Sequence, residues 1–214
     1  MATDTNTATR WHTVVPTALG RLSLVRDVDA LLGLYYPHHW YMPNPATFGP
    51  RCDEGFEEAI RQLNEYFAGQ RRLFGLPLAP RGDEFQHSVW NLVQQVRYGH
   101  TTTYGDLAGR LGGDVTAQQV AAAMGRNPLC IFIPCHRVVG RTGKLTGYAG
   151  GVGRKRYLLD LEQSNLARTL SDEKGRSDNV CLVTTRKANG LPATEKDPRW
   201  QSVHRDASAD NRFV

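Results

Sequence analysis

Ile131-Phe132-Ile133-Pro134-Cys135-His136-Arg137-Val138-Val139 is the stretch from which the rest of the chain is read. Three apolar side chains carry the backbone into a core, Pro134 fixes φ, and a Cys-His-Arg triplet follows where the chain must emerge. A thiol beside a histidine and an arginine has reason to ionise at neutral pH, and the thiolate is the reactive species. A lone cysteine is more often a small core hydrophobe than a nucleophile, and Cys52, Cys130 and Cys181 are read that way. Four scattered cysteines fit neither a disulfide framework nor a zinc knuckle. A reducing, cytoplasmic setting is therefore expected, with no metal and no cofactor.

Upstream of this stretch the apolar period is helical. Phe85, Val89, Leu92, Val93 and Val96 form one stripe that Tyr98-Gly99 stops. Thr103 can cap a short helix whose apolar side is Tyr104, Leu107, Ala108 and Leu111; Gly112-Gly113 makes a tight turn; Thr116 to Met124 makes another helix. Helix, glycine turn, helix is the spacing of a helix-turn-helix. Ala121, Ala122, Ala123 and Gly125 are small, whereas a major-groove reader usually projects Arg, Asn or Gln. Such a helix either packs closely inside a domain or is slim enough to enter a minor groove.

The remainder divides by composition. Trp11 to Val15, Arg21 to Arg26 and Ala30 to Tyr36 read as short strands, and Phe56, Ala59, Ile60, Leu63 and Phe67 mark an amphipathic helix ended by Gly69. Leu76 to Gly82, with two prolines and a glycine, reads as an inter-domain connection. A last helix is expected over Arg154 to Glu162. From Ser164 onward the sequence is polar apart from Val180 to Val183, and it reads as disordered or loosely attached. The expected domains are thus a flexible 1–9, an α/β unit over 10–80, a helical unit over 81–165 and a tail over 166–214.

The 214 residues suffice for one or two cores, and the mean hydropathy of -0.45 is that of a globular chain. Neither a membrane span nor a secretory leader is expected, because the longest apolar run, Leu129 to Ile133, is far too short to cross a bilayer. Residues 81–165 carry 10 basic and 6 acidic side chains, which places most of the net charge of +5 there. That surplus is weak support for a polyanionic partner.

Pro134-Cys135-His136-Arg137-Val138 resembles the active-site motif of the O6-alkylguanine-DNA alkyltransferases, the methylated-DNA-protein-cysteine methyltransferases. The resemblance extends to Thr103-Tyr104-Gly105-Asp106-Leu107-Ala108, Arg126-Asn127-Pro128 and Gly143-Lys144-Leu145-Thr146-Gly147-Tyr148-Ala149-Gly150-Gly151. It continues through Lys155 and Leu158-Leu159-Asp160-Leu161-Glu162, all in that family's order. It is strong over 81–165, weaker over 10–80 and absent from the tail. It implies an α/β fold: a ribonuclease-H-like N-terminal domain followed by a mostly helical, winged helix-turn-helix domain that binds DNA and accepts the alkyl group.

The implied activity is direct-reversal DNA repair by a monomer. Double-stranded DNA is held through its minor groove, the alkylated base is flipped out, and the O6-alkyl group moves to Cys135 in a single turnover. O4-alkylthymine is a further possible substrate. By the resemblance, His136 takes the thiol proton through a water while Glu162 orients the imidazole. Tyr104 hydrogen-bonds the guanine ring, Lys155 is linked to that region, Asn127 braces the turn before the cysteine, and Tyr148 and Ala149 lie in the loop over the alkyl group. Thr103, Gln118, Ala121, Ala122, Gly125 and Arg137 are expected to meet DNA. Gln118 stands where many relatives carry an arginine that fills the gap left by the flipped base.

Two readings of other classes compete. A lesion-binding or regulatory helix-turn-helix protein would have no use for Cys135. A cysteine hydrolase would pair Cys135 with His136 directly, which adjacent residues on an extended chain disfavour.

Overall fold

Residues 9–180 are described by the computed structural model, with side chains up to Ser171. Trp11–Thr17 (β1), Gly20–Arg26 (β2) and Leu31–Tyr35 (β3) form an antiparallel meander in chain order, Trp11 opposite Arg26, Thr17 opposite Gly20 and Ser23 opposite Tyr35. β3 is buried at every position because both of its faces are covered. Leu31 and Leu34 join the main core, while Leu32 and Tyr35 pack with Val25 and Phe48 in a smaller cluster. Glu57–Phe67 (α1) turns Ala59, Leu63 and Tyr66 into the main core.

The segment expected to be a connection is bonded to that sheet. Leu31 N donates to Pro77 O at 2.9 Å, and Ala79 N donates to Leu31 O at 2.9 Å. Glu84–Gln94 (α2) follows behind a capping box of Asp83 and Gln86. Thr102–Thr103 (β4) leads into Tyr104–Leu111 (α3), and Ala117–Gly125 (α4) comes next; Thr103 and Thr116 each cap through a reciprocal box. Gly112 and Gly113, at φ 76 and 61, make the left-handed turn between α3 and α4 that a β-carbon would strain. The indole of Trp90 on α2 donates to Ala123 O at 3.0 Å and locks α4 in place.

Two backbone contacts then fix the cysteine turn. Leu34 N on β3 donates to Pro128 O at 2.7 Å, so the N-terminal sheet holds the approach to the turn. Cys135–Arg137 form one turn of 3-10 helix, and Val138–Val139 (β5) pair in parallel with β4, Thr102 opposite Val138. The turn is therefore tied to the start of α3. The expected extended chain at Cys135-His136 is replaced by this turn, since Pro134 at φ -79 leads into tight 3-10 hydrogen bonding.

The last helix, Val152–Val180 (α5), outruns the expected end at Glu162. Its buried face continues past that point. Asn165 Nδ2 donates to Tyr98 Oη at 2.9 Å, and Leu166 lies so close to Gly99 that a β-carbon there would clash with it. The expectation of a tail from 166 is corrected to this extent; residues 1–8 and 181–214 lie outside the described residues. The described residues up to Arg168 pack as one compact unit, and those from Thr169 are assigned to a second. No helix among the described residues is long and apolar enough to cross a membrane.

Candidate active site

Lys155, Leu158, Leu159, Glu162 and Asn165 occupy the buried face of α5, so the helix presents an ammonium, a carboxylate and an amide to the core among its leucines. Buried charges persist only where they are paired. Glu162 is fully buried and takes hydrogen bonds from every side: His136 Nε2 at 2.9 Å, Arg137 Nη2 at 2.9 Å and Nε at 3.0 Å, Tyr66 Oη at 2.8 Å and Gly99 N at 2.8 Å. Burial alone would raise this carboxyl. The His136 and Arg137 hydrogen bonds and charges outweigh burial and hold it down to about 2.

An ionised Glu162 fixes the tautomer of His136. The nitrogen facing a carboxylate must carry the proton, so Nε2 is the N–H and Nδ1 keeps its lone pair. Burial lowers the His136 pKa against the opposing pull of Glu162, so the ring is neutral at pH 7. His136 Nδ1 is buried with no protein hydrogen-bond partner. The result is an oriented base with one free acceptor atom.

Cys135 sits one residue earlier, 4% exposed, with the Cys130 sulfur 3.7 Å from its own. The Cys130 hydrogen bond is the largest influence on its thiol and lowers the pKa; burial opposes, and the Asn127 amide and the Lys155 ammonium add to the lowering, for a net fall. Cys130 is pushed well above its ordinary value by that same hydrogen bond and by burial. Cys135 is accordingly the sulfur that holds the charge. Asn127 keeps the turn in shape, its Nδ2 donating to Ile133 O at 3.0 Å and its Oδ1 accepting from Leu129 N at 3.0 Å.

Around this thiol the structure gathers most of the expected substrate residues. Lys155 Nζ lies 5.7 Å from the centre of the Tyr104 ring and donates to Thr146 O at 3.2 Å. Burial brings Lys155 down to about 8, with Cys135 pulling the other way. The Tyr148 hydroxyl meets that of Tyr36 at 2.8 Å, and Ala149 is buried beside it. Burial raises both Tyr104 and Tyr148, which keeps them protonated donors.

The residues expected to meet DNA divide. Gln118, Ala121, Ala122 and Gly125 fall at i, i+3, i+4 and i+7 of α4, and the first three are exposed. The Gln119 side chain accepts from Thr116 N at 2.8 Å and closes the capping box, which leaves Gln118 as the glutamine projecting from the exposed face. Thr103 spends its hydroxyl as the cap of α3, accepting from Asp106 N at 3.0 Å.

Arg137 is corrected. It is 4% exposed and forks onto Glu162 while Nη1 donates to Val96 O at 2.7 Å, so it has no guanidinium group to offer a phosphate. Tyr66, Gly99 and Cys130 are site residues that the sequence did not reveal. Tyr66 follows Leu63 on the buried face of α1, but only the fold brings its hydroxyl to Glu162, 96 residues on.

Among known proteins, residues 11–80 match the ribonuclease-like domain, and residues 84–164 the DNA binding domain, of 6-O-methylguanine DNA methyltransferase. The chain is 51% identical over 112 residues to the methylated-DNA-protein-cysteine methyltransferase of Methanosarcina acetivorans, covering 52% of this chain and 72% of that one. It is 40% identical over 161 residues to that of Mycobacterium tuberculosis, covering 75% and 96%. The crystal structure of Mycobacterium tuberculosis OGT in complex with DNA superposes with a TM-score of 0.69 at 40% identity, over 72% of this chain and 94% of that one. With two matching domains that span most of its length and a relative covered almost end to end, this chain belongs to the 6-O-methylguanine DNA methyltransferase family.

Proposed function

We propose that this protein reverses alkylation of DNA directly, by moving the O6-alkyl group of a guanine in duplex DNA to Cys135, once per protein molecule. The observation that carries this reading is the buried sequence Glu162, His136, Cys135, in which the free atom of the oriented base is the one left for the thiol. His136 Nδ1 takes the Cys135 proton through a bridging water, and the thiolate attacks the alkyl carbon in line with the C–O6 bond. The S–C bond forms as the C–O bond breaks, and the charge that develops on the guanine is met by the donors Tyr104 and Lys155. A thioether has no proton to lose and is a poor leaving group, so nothing in the site returns Cys135 to its starting state.

A buried thiol cannot reach a base inside a stacked duplex, which supports flipping of the damaged nucleotide. The exposed face of α4, with Ala121 and Ala122 beside Gln118, suits the narrow minor groove better than the wide major one. A thiol nucleophile that must stay reduced fits the cytoplasm.

The test is a titration of duplex DNA containing O6-methylguanine against the protein. Lesion loss is expected to plateau at one equivalent per protein and to vanish in Cys135→Ala. Continued loss beyond one equivalent would overturn the single-turnover reading.

A further inference from the structure

Beyond its hydrogen bond to the Cys135 thiol, Cys130 carries chemistry of its own: it is fully buried with its sulfur 3.7 Å from that of Cys135. Tyr148 also hydrogen-bonds Cys130, and Cys130 Sγ donates to Asn127 O at 3.8 Å, so the sulfur is held in place beside Cys135. Closing 3.7 Å to the roughly 2.05 Å of a disulfide requires side-chain rotation within a short loop.

We propose that Cys130 and Cys135 form a site of reversible oxidation by peroxides, closing to a disulfide that preserves the acceptor thiol. In the first step the Cys135 thiolate attacks one peroxide oxygen; the O–O bond breaks, sulfur becomes a sulfenic acid and hydroxide leaves. In the second, the Cys130 thiol attacks the Cys135 sulfur; the S–S bond forms, the S–O bond breaks, and the Cys130 proton leaves with the oxygen as water. The first step also removes the thiolate whose hydrogen bond and charge, together with burial, hold the Cys130 thiol up. Two equivalents of a small thiol reverse the sequence, giving back both cysteines and the oxidised thiol.

A lone sulfenic acid proceeds with more peroxide to sulfinic and sulfonic acids, which thiols do not restore. For a protein that uses its cysteine once, that loss equals a spent molecule. The neighbouring thiol diverts the sulfenic acid before it is lost.

The experiment treats the reduced full-length protein with hydrogen peroxide and reads the tryptic peptide Asn127–Arg137, which contains both cysteines. In the wild type this peptide is expected to lose the mass of two hydrogens, and dithiothreitol is expected to restore alkyl transfer to the untreated level. In Cys130→Ala and Cys130→Ser the peptide is expected to gain two or three oxygens, with recovery lost relative to each variant's own untreated activity. A wild-type peptide that gains oxygens without losing two hydrogens would overturn the proposal, as would a disulfide from Cys135 to Cys52 or Cys181. Equal recovery in wild type and variants would do the same. The peptide mass is read without DNA, so it stands or falls separately from the alkyl-transfer reading; should the variants not fold, the wild-type mass alone decides.

Discussion

Glu162 sets the state of its neighbours, and substitutions around it separate orientation from charge. Glu162→Gln keeps the shape but removes the carboxylate that holds the proton on His136 Nε2, and His136→Ala removes the base. Each is expected to slow transfer from duplex DNA by about a hundredfold or more, the usual worth of a positioned base, as read in single-turnover assays. Acid stability follows from the same residue. The folded-state pKa of Glu162 lies below its unfolded value, so its stabilisation is present above about pH 4.5 and is lost as the pH falls toward about 2. Wild type is expected to lose more stability than Glu162→Gln across that window in urea melts at successive pH values. Lys155→Met tests the thiolate: without the ammonium the Cys135 thiol ionises at higher pH, and the pH profile of its alkylation by iodoacetamide is expected to move upward. The juxtaposition of Cys135 and His136 was legible because the two are adjacent letters. Arg137 was misread because sequence shows a charge but not its burial, and Tyr66 and Gly99 were invisible because their contacts with Glu162 span long separations in sequence.

At the level of elements, α4 combines a cap that fixes its start with an exposed face that is almost bare. Gln118→Arg is expected to strengthen binding to duplex DNA or speed transfer from it, because a longer cationic side chain fills a gap in the stack better. Reaction with free O6-benzylguanine, which needs no flipping, is expected to stay the same. Ala122→Glu places a carboxylate on the same face and is expected to weaken duplex binding by an amount that falls with added salt. Unchanged duplex binding in both variants, measured by fluorescence anisotropy, would remove this face from the interface. The helices and their turn were readable in the sequence because Thr103, Thr116 and Gly112-Gly113 announce starts and reversals locally. The end of α5 was not, because Asn165 and Leu166 owe their packing to Tyr98 and Gly99, 67 residues earlier, and no local period reveals that.

Across the molecule, one buried carboxylate joins α1, the α2–β4 connection, the cysteine turn and α5, so stability and reactivity share a centre. Arg137→Ala leaves Glu162 short of its closest cation. The expected cost is about 3–5 kcal/mol, or roughly 10 °C in thermal midpoint, whereas breaking an exposed pair such as Arg51 with Asp53 is expected to leave the midpoint unchanged. Ending the chain after Gln163 removes Asn165 and Leu166 and is expected to lower the midpoint, whereas removing 181–214 is expected to leave alkyl transfer intact. Strand order and the joining of β3 to the cysteine approach through Leu34 were beyond the sequence, since pairing between distant segments leaves no local mark. The central claim is that Cys135 alone accepts the alkyl group, and site-resolved mass spectrometry after reaction with O6-methylguanine duplex tests it most directly. The peptide Asn127–Arg137 is predicted to carry one methyl group, located by fragmentation on Cys135; a methyl group on Cys130, Cys52 or Cys181, or lesion loss with no adduct at all, would contradict it.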